Sequence, residues 1–319
     1  MDAAPLLFAP GASLAFGERL AAALGTPLAA LEEREFEGGE HRTRPVTEVR
    51  GRNVYVVQSM SGDAAASAND RLVRALFLIA ALRDAGAARV TACLPYLAYL
   101  RKDRRSKPQD QVNSRYVAQL FEAVGVDHVM VMDAHNPAAF ENAFRCSVEL
   151  LEAAPLLADT LAARAGGEPV TIVSPDFGGA KRAQRVVDLV AQRTGPAVEF
   201  AVIEKRRAGG QVSGDMAIGP VSGRHAVLVD DLIGAGTTLL RAVKSCREAG
   251  ALSVSAFATH GVFAPGAERL LGPDGPDRIY VTDTLLPTRL QAPAGDQDKL
   301  QVLPVAGIFA EAIRRHRAA

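Results

Sequence analysis

The sequence predicts an α/β protein of two tandem domains, each a mainly parallel sheet flanked by helices. Three observations carry that expectation. Short β-branched apolar runs alternate with segments of helical spacing, the pattern of parallel strands joined by helical crossovers. A chain of 319 residues with 48% hydrophobic content is long enough, and apolar enough, for two cores. The two halves also repeat one another in order. GRNVYVVQS (Gly51 to Ser59) parallels GRHAVLVDD (Gly223 to Asp231), and LRDAGAARVTA from Leu82 parallels CREAGALSVSA from Cys246. LFAPGASLAFGERL from Leu7 matches TIVSPDFGGAKRAQ from Thr171 more loosely.

In the first half, strands are expected over Val54 to Gln58, Val90 to Leu94 and Val129 to Met132, with helices over Arg71 to Ala85 and Ser114 to Val124. In the second, strands are expected over Val170 to Ser174, Phe200 to Ile203, Ala226 to Val229 and Val254 to Ala258. The boundary falls between Glu149 and Pro155, giving domains 1–150 and 151–319, with the C-terminal helix a candidate member of the first.

The segment VLVDDLIGAGTTL, Val227 to Leu239, is the most informative. An apolar strand ends in Asp230 and Asp231, and a helix ending at Gly250 follows. Ligands bind at the carboxyl edge of such strands. Gly234, Ala235 and Gly236 leave backbone N–H groups uncovered beside a positive helix N-terminus, and Thr237 and Thr238 add hydroxyl donors, so the loop suits a phosphate. Carboxylates repel phosphate and need hydroxyls or a cation instead. A ribose 5-phosphate satisfies both, with its hydroxyls donating to the aspartates and magnesium a candidate companion. In the first half Gln58 and Ser59 stand in the places of the two aspartates, so the phosphosugar site is expected in the second half alone.

Lys plus Arg equals Asp plus Glu at 36 each, so no global field draws the chain to nucleic acid or to a membrane surface. The longest apolar run, ALFLIAAL from Ala75, is too short to span a bilayer, and the N-terminus has no secretory pattern. Cys93, Cys146 and Cys246 lack metal-ligand spacing and read as reduced thiols of a cytoplasmic protein.

Further polar stretches lie at strand ends or turns. LPYLAYLRKDRRSKPQD (Leu94 to Asp110) is strongly basic, MDAHN places Asp133 and His135 after a strand, and SPDFGG places Asp176 between a strand and a helix. EKRR (Glu204 to Arg207) ends a strand and runs into GGQVSGD, which has the composition of a mobile loop. REFEGGEHR (Arg34 to Arg42) is turn chemistry with an aromatic at its front.

This set, in this order, resembles the ribose-phosphate pyrophosphokinases, from FEGGE through YLRKDR, DAHN, SPDFGGAKRA, EKRR and VDDLIGAGTTL to ATHG and VTDT. The resemblance implies type I phosphoribosyltransferase-like domains and transfer of the diphosphoryl group of ATP to the 1-hydroxyl of ribose 5-phosphate. It assigns the ribose hydroxyls to Asp230 and Asp231 and the 5-phosphate to Gly234, Ala235, Gly236, Thr237 and Thr238. Phe36 and Arg101 would contact adenine, with Gly38, Gly39, Glu40, Lys102 and Asp103 completing the ATP site. His135 and Asp176 would position Mg2+ on the triphosphate. Lys205 and Arg207 would neutralise charge during transfer, Arg207 also touching ribose 5-phosphate. A dimer-based homo-oligomer is implied, a hexamer among the candidates, with a neighbouring subunit completing the ATP site.

The chain departs from that pattern in places. Gly38-Gly39-Glu40 replaces the usual Asp-Gly-Glu, Lys102 stands where glutamine is common, and the phosphate loop lacks an acid and one hydroxyl. DAHNPAAFENAF differs from the usual Asp-Leu-His followed by a glutamine-rich stretch. The sequence ends at AEAIRRHRAA, without the serine-containing tail of regulated members, so weakened phosphate activation and ADP inhibition are expected. Two alternatives to an active enzyme are a non-catalytic regulatory homologue, favoured by the altered loops, and a phosphoribosyltransferase, disfavoured by the duplication and by EKRR.

Overall fold

The computed structural model describes residues 4–164, 168–195, 198–208, 211–287, 290 and 298–318; for 205–214 and 318 it describes backbone alone. The chain forms two compact units, Met1–Leu151 with Val305–Ala319, and Glu152–Pro304.

The first unit runs β1 (Leu6–Phe8), α1 (Leu14–Leu24), β2 (Leu31–Glu35), β3 (His41–Pro45), β4 (Asn53–Val57), α2 (Ala68–Asp84), β5 (Arg89–Leu94), α3 (Asn113–Ala123), β6 (His128–Met132), α4 (Pro137–Ala143) and β7 (Ser147–Leu151). Its sheet has the order β1-β4-β5-β6-β7, parallel throughout, while β2 and β3 form a separate antiparallel hairpin. Helices cover the sheet, so its central strands are apolar without alternation: Val54 to Val57 and Val129 to Met132 are all buried. α2 begins at a capping box in which Ser67 and Asp70 satisfy each other's backbone amides.

The second unit runs α5 (Ala154–Arg164), β8 (Val170–Ser174), α6 (Ala180–Thr194), β9 (Glu199–Ala208), β10 (Gln211–Ile218), β11 (His225–Ile233), α7 (Thr237–Glu248), β12 (Ser253–Gly261), β13 (Arg278–Thr282) and β14 (Leu300–Leu303). Its sheet order is β10-β9-β8-β11-β12-β13-β14, with β10 alone antiparallel. The chain then returns to the first unit as α8 (Ala306–Ala318).

The duplication seen in the sequence recurs in backbone detail. β1, β4, β5, β6 and β7 occupy the same spatial order as β8, β11, β12, β13 and β14. Gly51 donates to the Gly86 carbonyl at 2.8 Å, and Gly223 to the Gly250 carbonyl at 2.9 Å, all four glycines having φ between 68° and 85°. That left-handed backbone is why glycine recurs at both pairs of positions. Asp127 accepts from the Val90 amide and pairs with Arg83, just as Asp277 accepts from the Val254 amide and pairs with Arg247. Each half thus fixes the start of its strand by the same carboxylate and the same arginine.

One loop expectation is corrected. EKRR does not leave the sheet: β9 continues through Ala208, and most of GGQVSGD lies on β10, with residues 209 and 210 outside the described residues. Antiparallel pairing from Val202 to Ala208 satisfies backbone groups that the glycine-rich composition suggested would be left to solvent.

α8 closes one side of the first unit. The Phe309 ring meets Phe16 edge to face at 5.6 Å, Arg315 pairs with Glu149 at 2.9 Å, and the His316 ring stacks on His128 with centroids 4.2 Å apart. Tyr55 from β4 lies edge-on to His316, and Ser147 bonds His128 Nδ1. The Nε2 atoms of both histidines are buried without a hydrogen-bond partner. Burial, with His316 and Arg89 nearby, pushes the His128 imidazole down from 6.5 to about 4; burial and Arg89 also push His316 down, and Glu149 opposes both shifts. The unfolded chain therefore takes up a proton that the native pair resists. The destabilisation from this linkage is absent above pH 6.5 and grows as pH falls towards 4. Thermal unfolding should show His128 alone removing roughly 2 kcal/mol at pH 5, an effect that His128→Phe, which keeps the stack, abolishes. Identical pH profiles for the two proteins would refute this account.

Candidate active site

The carboxylate pair owes its position to unequal strand lengths. β8 pairs with β11 only as far as Leu228, whereas β12 pairs with it as far as Ile233. Past Leu228 one side of β11 is open, and Asp230 and Asp231 stand there. Asp231 is 5% exposed and Asp230 half-buried. Asp230 Oδ1 accepts from the Asp231 amide at 2.9 Å and from Arg182 Nη1 at 3.3 Å. The same Nη1 lies 3.8 Å from Asp231 Oδ1. One guanidinium thus faces two carboxylates. Burial and the neighbouring Asp231 push the Asp230 carboxyl up to about 7, against the pull of Arg182. Arg182 sits in the first turn of α6, inside the stretch SPDFGGAKRA, yet its role is not readable from spacing because its partners lie on another element.

Next along the chain, Gly234, Ala235 and Gly236 turn directly into α7. Gly236 is the N-cap, with φ 78°, and provides no side-chain cap. A Cβ there would also come within 2.8 Å of Leu270, so both backbone and space demand glycine. From behind, Phe263 and Ala264 donate to the Ile233 and Gly234 carbonyls at 2.9 and 3.2 Å. The Ile233 and Gly234 carbonyls are thereby engaged, while the Gly236 N-cap brings no side-chain acceptor to the first amides of α7 and Thr237 and Thr238 are exposed. A helix start of this form has the chemistry to suit an anion. Further along the same sheet edge, Thr282 and Thr284 bond the Thr259 carbonyl and His260 bonds Thr284, satisfying polar groups at the ends of β12 and β13.

The corresponding region of the first unit is closed. Gln58, 1% exposed, donates to the Ser59 carbonyl, and the Ser59 amide donates to Ser13 Oγ at 2.8 Å. In the following loop Asp63 accepts from the Ala65 and Ala66 amides at 2.9 and 3.0 Å and pairs with Arg71. A carboxylate built into the chain thus occupies amides that an anion would need. Asp63 and Arg71 were not singled out from the sequence; an acid between two turn-forming segments was the available signal.

The other candidates of the first unit form two groups. In the β2–β3 hairpin the Phe36 amide donates to the Glu40 carbonyl at 2.7 Å, and Gly38 and Gly39 turn the tip with φ of 78° and 85°. Glycine at both positions follows from that backbone. Phe36 is 42% exposed, with the Arg34 guanidinium 5.0 Å from its ring centre, and Glu40 is exposed beside it. Arg74 of α2 holds Glu35 at 2.5 Å, fixing the hairpin on the helix. In the loop after β5, Arg101 is exposed, whereas Lys102 is turned inward to Asp110 at 2.6 Å. Asp110 also accepts from the Ser106 and Lys107 amides, and Lys102 with those bonds holds its carboxyl below the usual range. Asp103 accepts from Asn136 Nδ2 at 2.6 Å, and Asn136 in turn caps α4, so the YLRKDR and DAHN loops are joined. His135 is exposed on that joined surface, two residues after Asp133, whose φ is 41°.

Asp176 belongs to the second unit. Its Oδ1 accepts from the Gly178 and Gly179 amides at 2.9 and 3.2 Å, capping the turn that leads into α6. Lys205 and Arg207 lie on β9, but their side chains fall outside the described residues.

Known proteins share the sequence and the fold of this chain. Residues 6–125 match the model of the N-terminal domain of ribose phosphate pyrophosphokinase, and residues 202–318 match that of the phosphoribosyl synthetase-associated domain. A ribose-phosphate pyrophosphokinase of Granulibacter bethesdensis is 36% identical over 93% of this chain and 92% of its own. One from Caldanaerobacter subterraneus is 36% identical over 97% and 93%. The crystal structure of phosphoribosylpyrophosphate synthetase from Mycobacterium smegmatis aligns with a TM-score of 0.86 at 30% identity, covering 99% of both chains. With this identity along nearly its whole length and both units of the fold in common, the chain belongs to the ribose-phosphate pyrophosphokinase family.

Proposed function

We propose that the chain transfers the diphosphoryl group of ATP to the 1-hydroxyl of ribose 5-phosphate, giving phosphoribosyl pyrophosphate and AMP. The observation that carries this reading is the uncapped start of α7 next to the Asp230–Asp231 pair. A ligand there must be anionic at one end and rich in hydroxyl donors at the other. Gly234 to Thr238 hold the 5-phosphate, and Asp230 and Asp231 accept from the ribose hydroxyls. Arg182 keeps the two carboxylates together. Phe36 and Arg101 contact adenine, with Gly38, Gly39, Glu40, Lys102 and Asp103 around the rest of ATP. Lys102 must leave Asp110 to do so, and its four-carbon stem allows it. Lys205 and Arg207 supply the cations that offset charge gathering on the transferred phosphoryl oxygens.

His135 and Asp176 are the proposed magnesium ligands. Asp176 uses one oxygen for its cap and keeps a second for a hard cation. Magnesium keeps several of its waters and can arrive with the triphosphate, so it needs few ligands from the protein. When bound, magnesium would neutralise phosphate oxygens and help to fix their orientation.

A homo-oligomer built from dimers, with a hexamer the candidate assembly, belongs to the same proposal; Phe77, 59% exposed, and Val73 on α2 give it an apolar face to bury. Among the described residues no helix is long and apolar enough to cross a membrane. Cys93, Cys146 and Cys246 are free thiols, Cys146 pushed up to about 11 by burial, and inert thiols suit the proposed cytoplasmic location.

AMP release from ATP and magnesium should require ribose 5-phosphate. Its absence with every nucleotide tried, with and without inorganic phosphate, would replace catalysis by a regulatory role. Lys205→Ala should lower kcat by about 10²–10³ while KM for ATP moves by no more than about threefold; a raised KM at constant kcat would remove Lys205 from the transfer step. Asp230 works in the opposite sense to His128. Its native carboxyl lies above the unfolded value of 3.8, so its cost to stability appears as pH rises from 3.8 through about 7. Asp230→Asn should therefore raise Tm at pH 8 by roughly 2–5 °C while weakening ribose 5-phosphate binding. A lower Tm at pH 8 would contradict the charge burden assigned to Asp230.

A further inference from the structure

The β9–β10 ribbon extends beyond the rest of its sheet. β9 pairs with β8 only over Glu199 to Val202, and from Ile203 outward its ladder partner is β10 alone. β10 is the edge of the sheet. A two-stranded ribbon is marginally stable without packing against something else. Asp215 of β10 provides a tie. Its carboxylate is held by Arg241 of α7 through a two-pronged contact, Nε to Oδ2 at 2.9 Å and Nη2 to Oδ1 at 3.3 Å. One helical turn further on, Ser245 Oγ shares its proton between the Arg241 carbonyl at 3.1 Å and the Asp215 carbonyl at 3.3 Å.

Two facts separate this contact from an ordinary surface ion pair. The Asp215 side chain is 8% exposed, so Arg241 compensates a charge that is largely out of water. The register also places Asp215 directly opposite Lys205, while Arg241 lies four residues after Thr237 on the helix that starts at the phosphate loop. A forked contact of fixed geometry therefore joins the anion-binding helix to the rung of the ladder that carries Lys205.

We propose that Asp215 and Arg241 are a positioning pair, setting the strand that bears Lys205 and Arg207 against the loop that receives the sugar phosphate. The proposal rests on the reading of the site given above. Neither residue touches substrate; each acts through the placement of β9. Loosening the tie lowers turnover and leaves ground-state binding of the sugar phosphate at Gly234 to Thr238 largely intact, because transfer depends on alignment to within fractions of an ångström.

The test measures kcat and the KM for ribose 5-phosphate in sugar-dependent AMP release for Arg241→Leu, Asp215→Asn, their double variant and Arg241→Lys, beside the rate of tryptic cleavage after Lys205, Arg206 and Arg207. Each single variant should lose about tenfold in kcat with KM within about threefold, and the double should be no worse than the poorer single. Arg241→Lys, which keeps charge without the fork and retains the fold if the leucine variant does not, should fall between. Cleavage should quicken in the same order. Singles with kcat within twofold of the parent protein, or losses that multiply in the double, would overturn the proposal. If the parent releases no sugar-dependent AMP, the functional reading fails by itself, and cleavage decides the link: quicker in the variants sustains it, unchanged overturns it.

Discussion

The constraint on which the site depends is the placing of two consecutive carboxylates on a strand that has lost one neighbour. Adjacent residues of a strand point to opposite faces, so two charges in sequence cannot both reach one cation without local distortion. Here the Asp231 amide donates back to the Asp230 carboxylate, and a single guanidinium from α6 lies between reach of one and reach of the other. The result is a pair of carboxylates crowded on one guanidinium in a partly dry setting. The two apolar cores around the sheets offset the cost of such a site. The short β8, the glycine loop and the start of α6 all serve that one arrangement.

Duplication explains why the rest of the protein could afford to differ. Both units use the same glycine pairs and the same aspartate–arginine clamp to start their strands, so the scaffold is common. The first unit fills its equivalent of the phosphate loop with its own Asp63 and seals the strand end with Gln58 and Ser59. With the loop committed internally, the surface of that unit is shaped instead by the Phe36 hairpin and by the joined loops around Asp103 and Asn136.

Features encoded by neighbouring residues were legible in the sequence. The Asp-Asp loop is one, since strand, carboxylates, glycines and helix start are contiguous; the repeat is another, since left-handed turns restrict the residue to glycine. Interactions across the fold were not. Arg182 is one cation among 36, and only the packing of α6 beside β11 turns it to the aspartates. The extension of β9 through EKRR was hidden for a different reason: charge and glycine are poor strand signals, and the antiparallel partner β10, which begins at Gln211, overrides them. Lys102 shows a third limit, because its acid lies in the same loop and nothing in composition tells a self-paired lysine from one awaiting a ligand.

The route of the chain has a consequence for the order of assembly. Phe309, Ala310 and Ile313 of α8 are completely buried in the first unit, yet they are synthesised only after the whole of residues 152–304. Until then the Phe16 side of α1 and the His128 end of β6 lack their cover, however early the strands beneath them pair. The second unit therefore folds as an insertion within an unfinished first one. Closing so long a loop adds only about 0.6 kcal/mol for each doubling of its length. The arrangement thus weighs little on equilibrium stability and bears mainly on timing: during that interval the first unit is the exposed, association-prone partner, and completion of α8 marks the end of its folding.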